Sequence, residues 1–168
     1  YFYGNSKRGV NNGYSEMNPD KLQCMVQLIV SKEINGVPKT KLNKEMYYAD
    51  FYSYKKYGRS ISGLAYRAIQ YGPVPEHYET VYDHVQGLIK KSIETSADFE
   101  YDLLFCDSPD TSALSKEDIN VINHVMSVLV EMKRADVVDL SHKENGWINN
   151  KDHHNIIPYD EAYSLKAF

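Results

Sequence analysis

The chain has 168 residues, enough for one domain with a sizeable core and too few for two full domains. Its 19 Lys and Arg against 23 Asp and Glu give a net charge of -4, which argues against a nucleic-acid backbone as the main partner. No apolar run reaches membrane-spanning length and the first residues lack a secretory layout, so we expect a cytoplasmic protein that does not act at a membrane.

Residues 1–18 are rich in glycine and asparagine without periodicity, which predicts an irregular arm or the end of a linker from an upstream segment. The chain begins at Tyr1 rather than Met, and this also suggests an upstream part. A domain over 19–168 would then begin with a helix at Pro19 that ends near Asn35 and Gly36.

A second helix is predicted over 40–57, ended by Gly58. Helical spacing gives it two opposed apolar sides, so we expect it to be largely buried; the sides are Leu42, Met46 and Ala49, and Tyr47, Phe51 and Tyr54. A third strip should face solvent together with Lys41 and Lys44, and it contains Tyr48, Tyr52 and Lys55. Asp50 lies in an apolar turn of this helix, so its carboxylate should be bonded to Arg59, Arg67 or a tyrosine hydroxyl.

The period changes to two over 61–71, which predicts a strand that Pro73 and Pro75 should stop. Glu76 would then open a helix whose apolar stripe includes Tyr78, Val81, Tyr82 and Val85. Alternation over 90–95 and 99–105 predicts a hairpin that turns at residues 96–98.

Ser115 and Asp118 resemble a capping box and open a helix that should reach about Lys133. Further helices are expected over 135–142 and from Pro158. These elements predict one α+β domain, with about five to six helices packed on a small antiparallel sheet of about three strands.

Residues that could carry chemistry are not arranged in a known catalytic motif. Metal ligands cluster in sequence only at His142, Glu144, His153 and His154, whose spacing fits no metal motif, so we predict no metal and no cofactor. A helix-end role for His142, bonding the last carbonyls or a carboxylate, is the better interpretation. Cys106 or Ser141 could be paired with a histidine only arbitrarily, and Cys24 and Cys106 are expected to be packed thiols. We therefore predict a protein that is not an enzyme.

Nine of the 15 tyrosines lie between Tyr47 and Tyr82, and tyrosine is enriched in binding hot spots. Trp147 should anchor its loop to the core. The candidate partner-binding residues are Tyr48, Tyr52, Lys55, Arg59, Ser60, Tyr71, Pro73, Val74 and Pro75.

Six blocks of the sequence form a pattern in this order: Lys41–Lys44, Tyr47–Phe51, Tyr54–Gly63, Tyr71–Pro75, Asp139–His142 with Trp147, and Ile157–Tyr159. In residues and order these blocks resemble the SocA-like antitoxins, also called the Panacea domain. The resemblance covers about residues 20–165, and Glu45 departs from the apolar residue expected at its position. It marks as structural or motif residues Asp50, Gly58, Gly63, Gly72, Ser141, His142, Trp147, Pro158 and Tyr159.

The resemblance implies a domain that binds and neutralises a protein toxin encoded beside it, in bacteria or phages, without catalysis. The toxin would dock on the helix 40–57, the turn 58–63 and the loop 71–75, and self-association is possible. One alternative is a DNA-binding regulator that places Lys39, Lys41 and Lys44, or Lys55, Lys56 and Arg59, on phosphates. A further alternative is a metal- or Cys-dependent hydrolase.

Overall fold

A computed structural model describes residues 9–95 and 100–168. The α-helices are α1 (Pro19–Lys32), α2 (Lys39–Tyr57), α3 (Lys116–Leu129), α4 (Arg134–Ser141) and α5 (Asn145–Ile148). The strands are β1 (Tyr66–Ile69), β2 (Gly72–Pro75), β3 (Ile89–Glu94) and β4 (Glu100–Phe105), and two 3-10 helices follow, Lys151–His153 and Tyr159–Ser164.

The predicted α+β class is confirmed, and the four strands form two separate antiparallel pairs, β1 with β2 and β3 with β4. The predicted hairpin is confirmed with Ile93 opposite Tyr101, while its turn at 96–98, the position of Phe99 and residues 1–8 of the arm lie outside the described residues. No helix among the described residues is long and apolar enough to cross a membrane.

α2 is the central element, and it contacts α1, α3, α4, β2, β4 and the 3-10 helix Tyr159–Ser164. Every residue from Lys41 to Phe51 is buried, which confirms the predicted burial of this helix. The prediction that Lys41 and Lys44 face solvent is wrong. Helical spacing separates the faces of a helix, but a helix with neighbours on all sides has no wet face.

Buried charges on α2 are partly paired. The Lys41 ammonium lies 2.7 Å from the Glu33 carboxylate and 4.0 Å from that of Glu45. Burial raises the pKa of Glu45 well above its usual value, and the neighbouring Glu33 carboxylate adds to this effect. A buried carboxyl group beside Glu33 and Lys41 therefore fills the position where an apolar residue was expected.

The ends of the helices follow their sequence signals. Ser115 and Asp118 form a complete capping box at the start of α3, as predicted. Gly58 caps the C-terminus of α2 in the left-handed region, with φ of 74°, and its amide donates to the Tyr54 carbonyl.

The strand predicted over 61–71 is shorter than expected, and its prolines do not end the sheet. β1 covers only Tyr66–Ile69, and Gly72–Pro75 pairs with it as β2, with Val74 opposite Arg67. The Glu76 amide donates to the Ala65 carbonyl, so the backbone nitrogens of alternate residues in this segment point towards β1. The nitrogens of Pro73 and Pro75 point away from β1, so the missing N–H groups of these prolines do not interrupt the hydrogen bonds between the two strands. The other edge of β1 bonds to residues 155–157, through the Ala68 amide to Asn155 and the Ile157 amide to Tyr66.

The helix predicted from Glu76 is wrong, because residues 76–88 form successive turns. His77 has a φ of 60°, a left-handed conformation that interrupts a right-handed helix. Tertiary bonds hold the segment instead: the Tyr82 hydroxyl donates to Asn43 and the Gln27 amide to the Gln86 carbonyl. The apolar spacing of Val81 and Tyr82 reflects burial against the core, not helical geometry.

Candidate functional site

A buried carboxylate fixes the turn after α2. Asp50 is fully buried and accepts hydrogen bonds from the Ile61 amide (2.8 Å), from the Ser62 amide (2.9 Å) and hydroxyl (2.5 Å), and from the Tyr66 hydroxyl (2.6 Å). The expected tyrosine partner is confirmed. Burial raises the pKa of Asp50, and the donated bonds oppose that shift. Four donors from one short segment hold residues 61–66 in a single conformation against the helix.

The arm that precedes α1 packs on this turn. The Ser60 amide donates to the Gly13 carbonyl at 2.9 Å, and the Ser60 hydroxyl donates to the Asn12 carbonyl at 2.7 Å. Gly63 has a φ of 77°, and a Cβ there would lie 2.5 Å from the Met17 amide nitrogen. The turn 58–63 and residues 12–17 therefore form one rigid unit, in which Ser60 is buried.

Four exposed side chains and the half-buried Arg59 surround the end of α2. We call this set the α2-end surface, and its residues are Tyr14, Lys56, Tyr57, Arg59 and Tyr163. Tyr14, Tyr57 and Tyr163 are 53%, 37% and 64% exposed. Lys56 Nζ and Arg59 Cζ lie 5.7 and 5.8 Å from the centre of the Tyr57 ring. These distances suit cation–π contacts, which leave the cations accessible to a partner.

Buried neighbours support the α2-end surface. The ring of Tyr54, itself nearly buried, lies 6.3 Å from Tyr14 in a stacked arrangement and 5.8 Å from Tyr163. Beside Arg59, a cleft of about 520 Å³ opens between the arm and the turn, lined by Tyr14, Ser15, Glu16, Met17, Asn18, Pro19, Lys21, Arg59 and Ile61. The surface is thus a set of rigid rings next to a concave feature.

The predicted strip on α2 is covered rather than free. Tyr48 is fully buried and its hydroxyl donates to Glu144 at 2.9 Å, so the expectation that Tyr48 faces outward is wrong. Tyr52 is half-buried and stacks on His124 at 5.0 Å, and the exposed Lys55 donates to the Phe168 backbone oxygen at 2.7 Å. Residues 165–168 lie over this strip, which sequence spacing alone did not predict.

The predicted loop at 71–75 lies away from the α2-end surface. Tyr71 is 60% exposed, while Pro73, Val74 and Pro75 are buried in the β1–β2 pair. A Cβ on Gly72 would lie 2.6 Å from Lys44 Cε, so this loop packs near the start of α2. The 13 residues from Lys44 to Tyr57 span roughly 20 Å of helix, and the candidate residues therefore fall in two places.

Motif residues of the second half of the chain support the 71–75 loop. Trp147 donates from Nε1 to the Ile69 carbonyl at 2.7 Å, and its ring stacks on His142 at 4.1 Å. His142 is the C-cap residue of α4, where its backbone amide donates to the Val138 carbonyl, and its Nε2 has no hydrogen-bond partner among the described residues. The buried Ser141 donates to the Val138 carbonyl. Tyr159 donates to the Leu64 carbonyl at 2.8 Å and begins the 3-10 helix that Pro158 caps.

Lys44 lies among these residues with an unusual environment. Its side chain is fully buried, and its Nζ has no hydrogen-bond partner among the described residues. Burial lowers the pKa of Lys44 to about 7. Gly72 permits this approach, because both Lys44 Cε and Ser141 Oγ lie 2.6 Å from where a Cβ would stand.

Several residues that the DNA-binding and hydrolase alternatives require are buried. Lys41 and Lys44 are buried, so the first predicted phosphate-binding set is not presented, although Lys55 and Lys56 are exposed. Among the described residues, no group of three or more His, Cys, Asp or Glu side chains is placed to hold a metal ion. Glu144 instead bonds to Tyr48 and to two backbone amides. Cys24 and Cys106 are buried free thiols, as expected, and burial raises the pKa of Cys106.

Sequence reasoning missed Tyr14, Tyr57 and Tyr163. Tyr57 carried a signal, since it stands at the end of α2 between Lys56 and Gly58. Tyr14 and Tyr163 join it only because the arm and the 3-10 helix Tyr159–Ser164 pack at the same end, and that is not written in local spacing.

A family match covers residues 42–148, from α2 through α5, and includes the Asp50 bonds, the turn 58–63, the β1–β2 pair and Trp147. The domain is of the antitoxin-like class. The family is described as Antitoxin SocA-like, Panacea domain, and the chain belongs to it. No curated protein and no solved structure matches the chain.

Proposed function

We propose that this domain binds a cognate protein toxin and neutralises it by direct contact, with the α2-end surface as the main docking face. Membership of an antitoxin family supports a toxin partner in general. The observation that carries the proposal is the presence of three exposed tyrosines and two cations at one end of the central helix.

The composition of this surface suits protein recognition. Tyrosine and arginine are enriched in hot spots, because they bury a large area and still offer a polar group. Tyr54 packs against the Tyr14 and Tyr163 rings, and Asp50 fixes the turn that contains Arg59, so little conformational entropy is lost on binding. Lys56 and Arg59 favour an acidic face on the toxin.

The remaining candidate residues divide into two roles. Tyr52, Lys55 and Tyr71 keep solvent-accessible atoms and are proposed as secondary contacts. The other candidates are buried and are proposed to support the exposed residues rather than to contact the toxin; they are Tyr48, Ser60, Pro73, Val74 and Pro75.

The direct test is co-expression with the toxin encoded beside this chain, followed by measurement of growth and of complex formation. Tyr57→Ala and Arg59→Ala should each weaken toxin binding about tenfold or more, the size of a hot-spot loss. Both side chains are at least partly exposed, so thermal unfolding should change little.

Lys91→Ala on β3 is the matched control for a lost exposed cation. Tyr71→Ala removes a secondary contact away from the α2-end surface and should weaken toxin binding less than Tyr57→Ala does. The proposal fails if the unsubstituted chain neither restores growth nor forms a complex. Loss of binding in Tyr71→Ala alone would instead move the docking face to the 71–75 loop.

A further inference from the structure

We propose that the groove beneath residues 166–168 is a docking site for an extended toxin segment that carries an aromatic side chain. Residues 166–168, here called the strap, occupy the groove until that segment displaces them. The inference rests on the proposed function and names the chemistry of the toxin segment that this second contact takes.

The groove holds the strap mainly through backbone atoms. Glu144 Oε1 accepts from the Lys166 amide at 2.8 Å, and Glu144 Oε2 accepts from the Ala167 amide at 3.3 Å. Lys55 Nζ donates to the Phe168 backbone oxygen at 2.7 Å. Backbone groups are common to all peptides, so these three bonds suit any extended segment of the right length.

One position of the groove selects a side chain. The Phe168 ring centre lies 5.3 Å from that of Tyr48, 5.9 Å from His124 and 6.0 Å from Tyr52. The Tyr48 and His124 contacts are edge-on, a favoured geometry for aromatic pairs. An incoming segment should therefore place Phe, Tyr or Trp at this point.

An empty groove would be unfavourable, and this argues for exchange rather than simple release. The Glu144 carboxylate is 1% exposed, and apart from the Tyr48 hydroxyl its described donors are the two strap amides. Removing hydrogen-bond donors from a buried carboxylate raises the free energy of the folded protein, because the charge is then neither solvated nor hydrogen-bonded. A toxin segment that offers amides in the same positions restores those bonds.

The strap is suited to exchange because none of its residues is fully buried. Lys166 is exposed, Ala167 and Phe168 are half-buried, and Leu165 is the buried residue that joins the strap to the 3-10 helix. The strap also covers Tyr52 and Lys55, which were predicted to meet the toxin. Displacement would make both of these residues available.

The first experiment measures toxin affinity with Phe168→Ala in the full chain. The substitution weakens the binding of the strap to the groove, so the groove is free in a larger fraction of molecules. Toxin binding should therefore tighten roughly three- to tenfold. Leu165→Ala is not used, because that side chain is in the core. A complex that forms with unchanged or weaker affinity overturns the proposal, provided that circular dichroism shows Phe168→Ala to be folded.

The second experiment reads the groove without the toxin. A fluorescent, end-capped peptide with the sequence of residues 163–168 should bind the Phe168→Ala chain, and the same peptide with Ala for Phe should not. Lys55→Ala in that chain should weaken peptide binding, whereas Lys56→Ala, which removes the neighbouring lysine, should not.

The outcomes separate the two proposals. Peptide binding without any toxin complex would keep the groove and reject the proposed function. A toxin complex with no peptide binding, even at millimolar peptide, would reject the groove and keep the function. A concentration-dependent dimer that Phe168→Ala abolishes would assign the groove to a second copy of this chain and overturn the toxin assignment.

Discussion

At the scale of single residues, Lys44 belongs to a block of the family motif, and its side chain is buried where a positive charge is unfavourable. Its amine is buried without a hydrogen-bond partner among the described residues, and it lies close to Gly72, Ser141 and the imidazole of His142. Burial lowers the pKa of Lys44 to about 7, against 10.5 when exposed. Below pH 7 both the folded and unfolded states hold the proton, and the whole destabilisation is present.

Lys44→Met should therefore stabilise the fold, by at most about 5 kcal/mol below pH 7, because each unit of pKa shift corresponds to about 1.4 kcal/mol. From pH 7 to pH 10.5 the unsubstituted protein gains stability, since only the unfolded state still holds the proton, and the difference between the two proteins shrinks.

Urea unfolding at a series of pH values measures this difference. Lys56→Met, on the same helix but exposed, should show no comparable pH dependence. A Lys44→Met protein that is less stable at pH 6 than the unsubstituted chain would mean that the ammonium is satisfied in the folded state.

At the scale of elements, two glycines that flank one turn have different reasons for being glycine. Both have a φ above 70°, but a Cβ on Gly58 would meet no described atom within 4 Å, whereas a Cβ on Gly63 would overlap the backbone of Glu16 and Met17. Gly58 is needed for its conformation alone. Gly63 is also needed for the contact between the arm and the turn.

Gly58→Ala should cost about 1–2 kcal/mol, the strain of a left-handed residue with a side chain. Gly63→Ala should cost more than about 4 kcal/mol, because the clash with backbone atoms is added to the same strain. Chemical denaturation compares the two variants directly. Equal losses would contradict the close packing of the arm on the turn.

The start of α3 and the end of α2 were predictable from the sequence, whereas the backbone conformation of residues 76–89 was not. Capping signals located α3 and the end of α2, because Ser115 and Gly58 act through atoms within a few residues. The period over 76–89 predicted a helix that is absent, because Tyr82 is held by Asn43, 39 residues earlier in the chain. Local patterns identify which residues are buried, and distant partners decide the backbone that buries them.

The candidate site was only partly predictable for the same reason. The tyrosine partner of Asp50 followed from the cost of an unpaired buried carboxylate. The burial of Tyr48 depends on Glu144, 96 residues later, and on the strap. No spacing within α2 contains that information.

At the scale of the whole molecule, one core cluster extends from Met17 to Leu165. Residues near the end of the chain fill its centre: Tyr159 is fully buried and stacks on Phe51 at 4.1 Å, and Ile157 bonds to Tyr66 at the free edge of β1. Residues 157–165 are therefore part of the core.

A chain that stops at residue 154 should fail to fold, because it loses Tyr159, Ile157 and the second edge of β1. Near-ultraviolet circular dichroism and limited proteolysis would detect the loss of fixed packing. The full chain with Phe168→Ala is the control, since it keeps these core residues. A protease-resistant truncated chain would show that residues 155–168 are dispensable for the fold.

Because β1 pairs on both edges, its second edge can be completed only after residues 155–157 have been synthesised. β1 and β2 leave the ribosome well before residues 155–157, which complete the edge of β1. At ordinary translation rates of about 5–20 residues per second, the roughly 80 residues between them take about 4–16 s to be synthesised, and that edge is unpaired during this time. The α2-end surface, which includes Tyr163, is complete only after this interval.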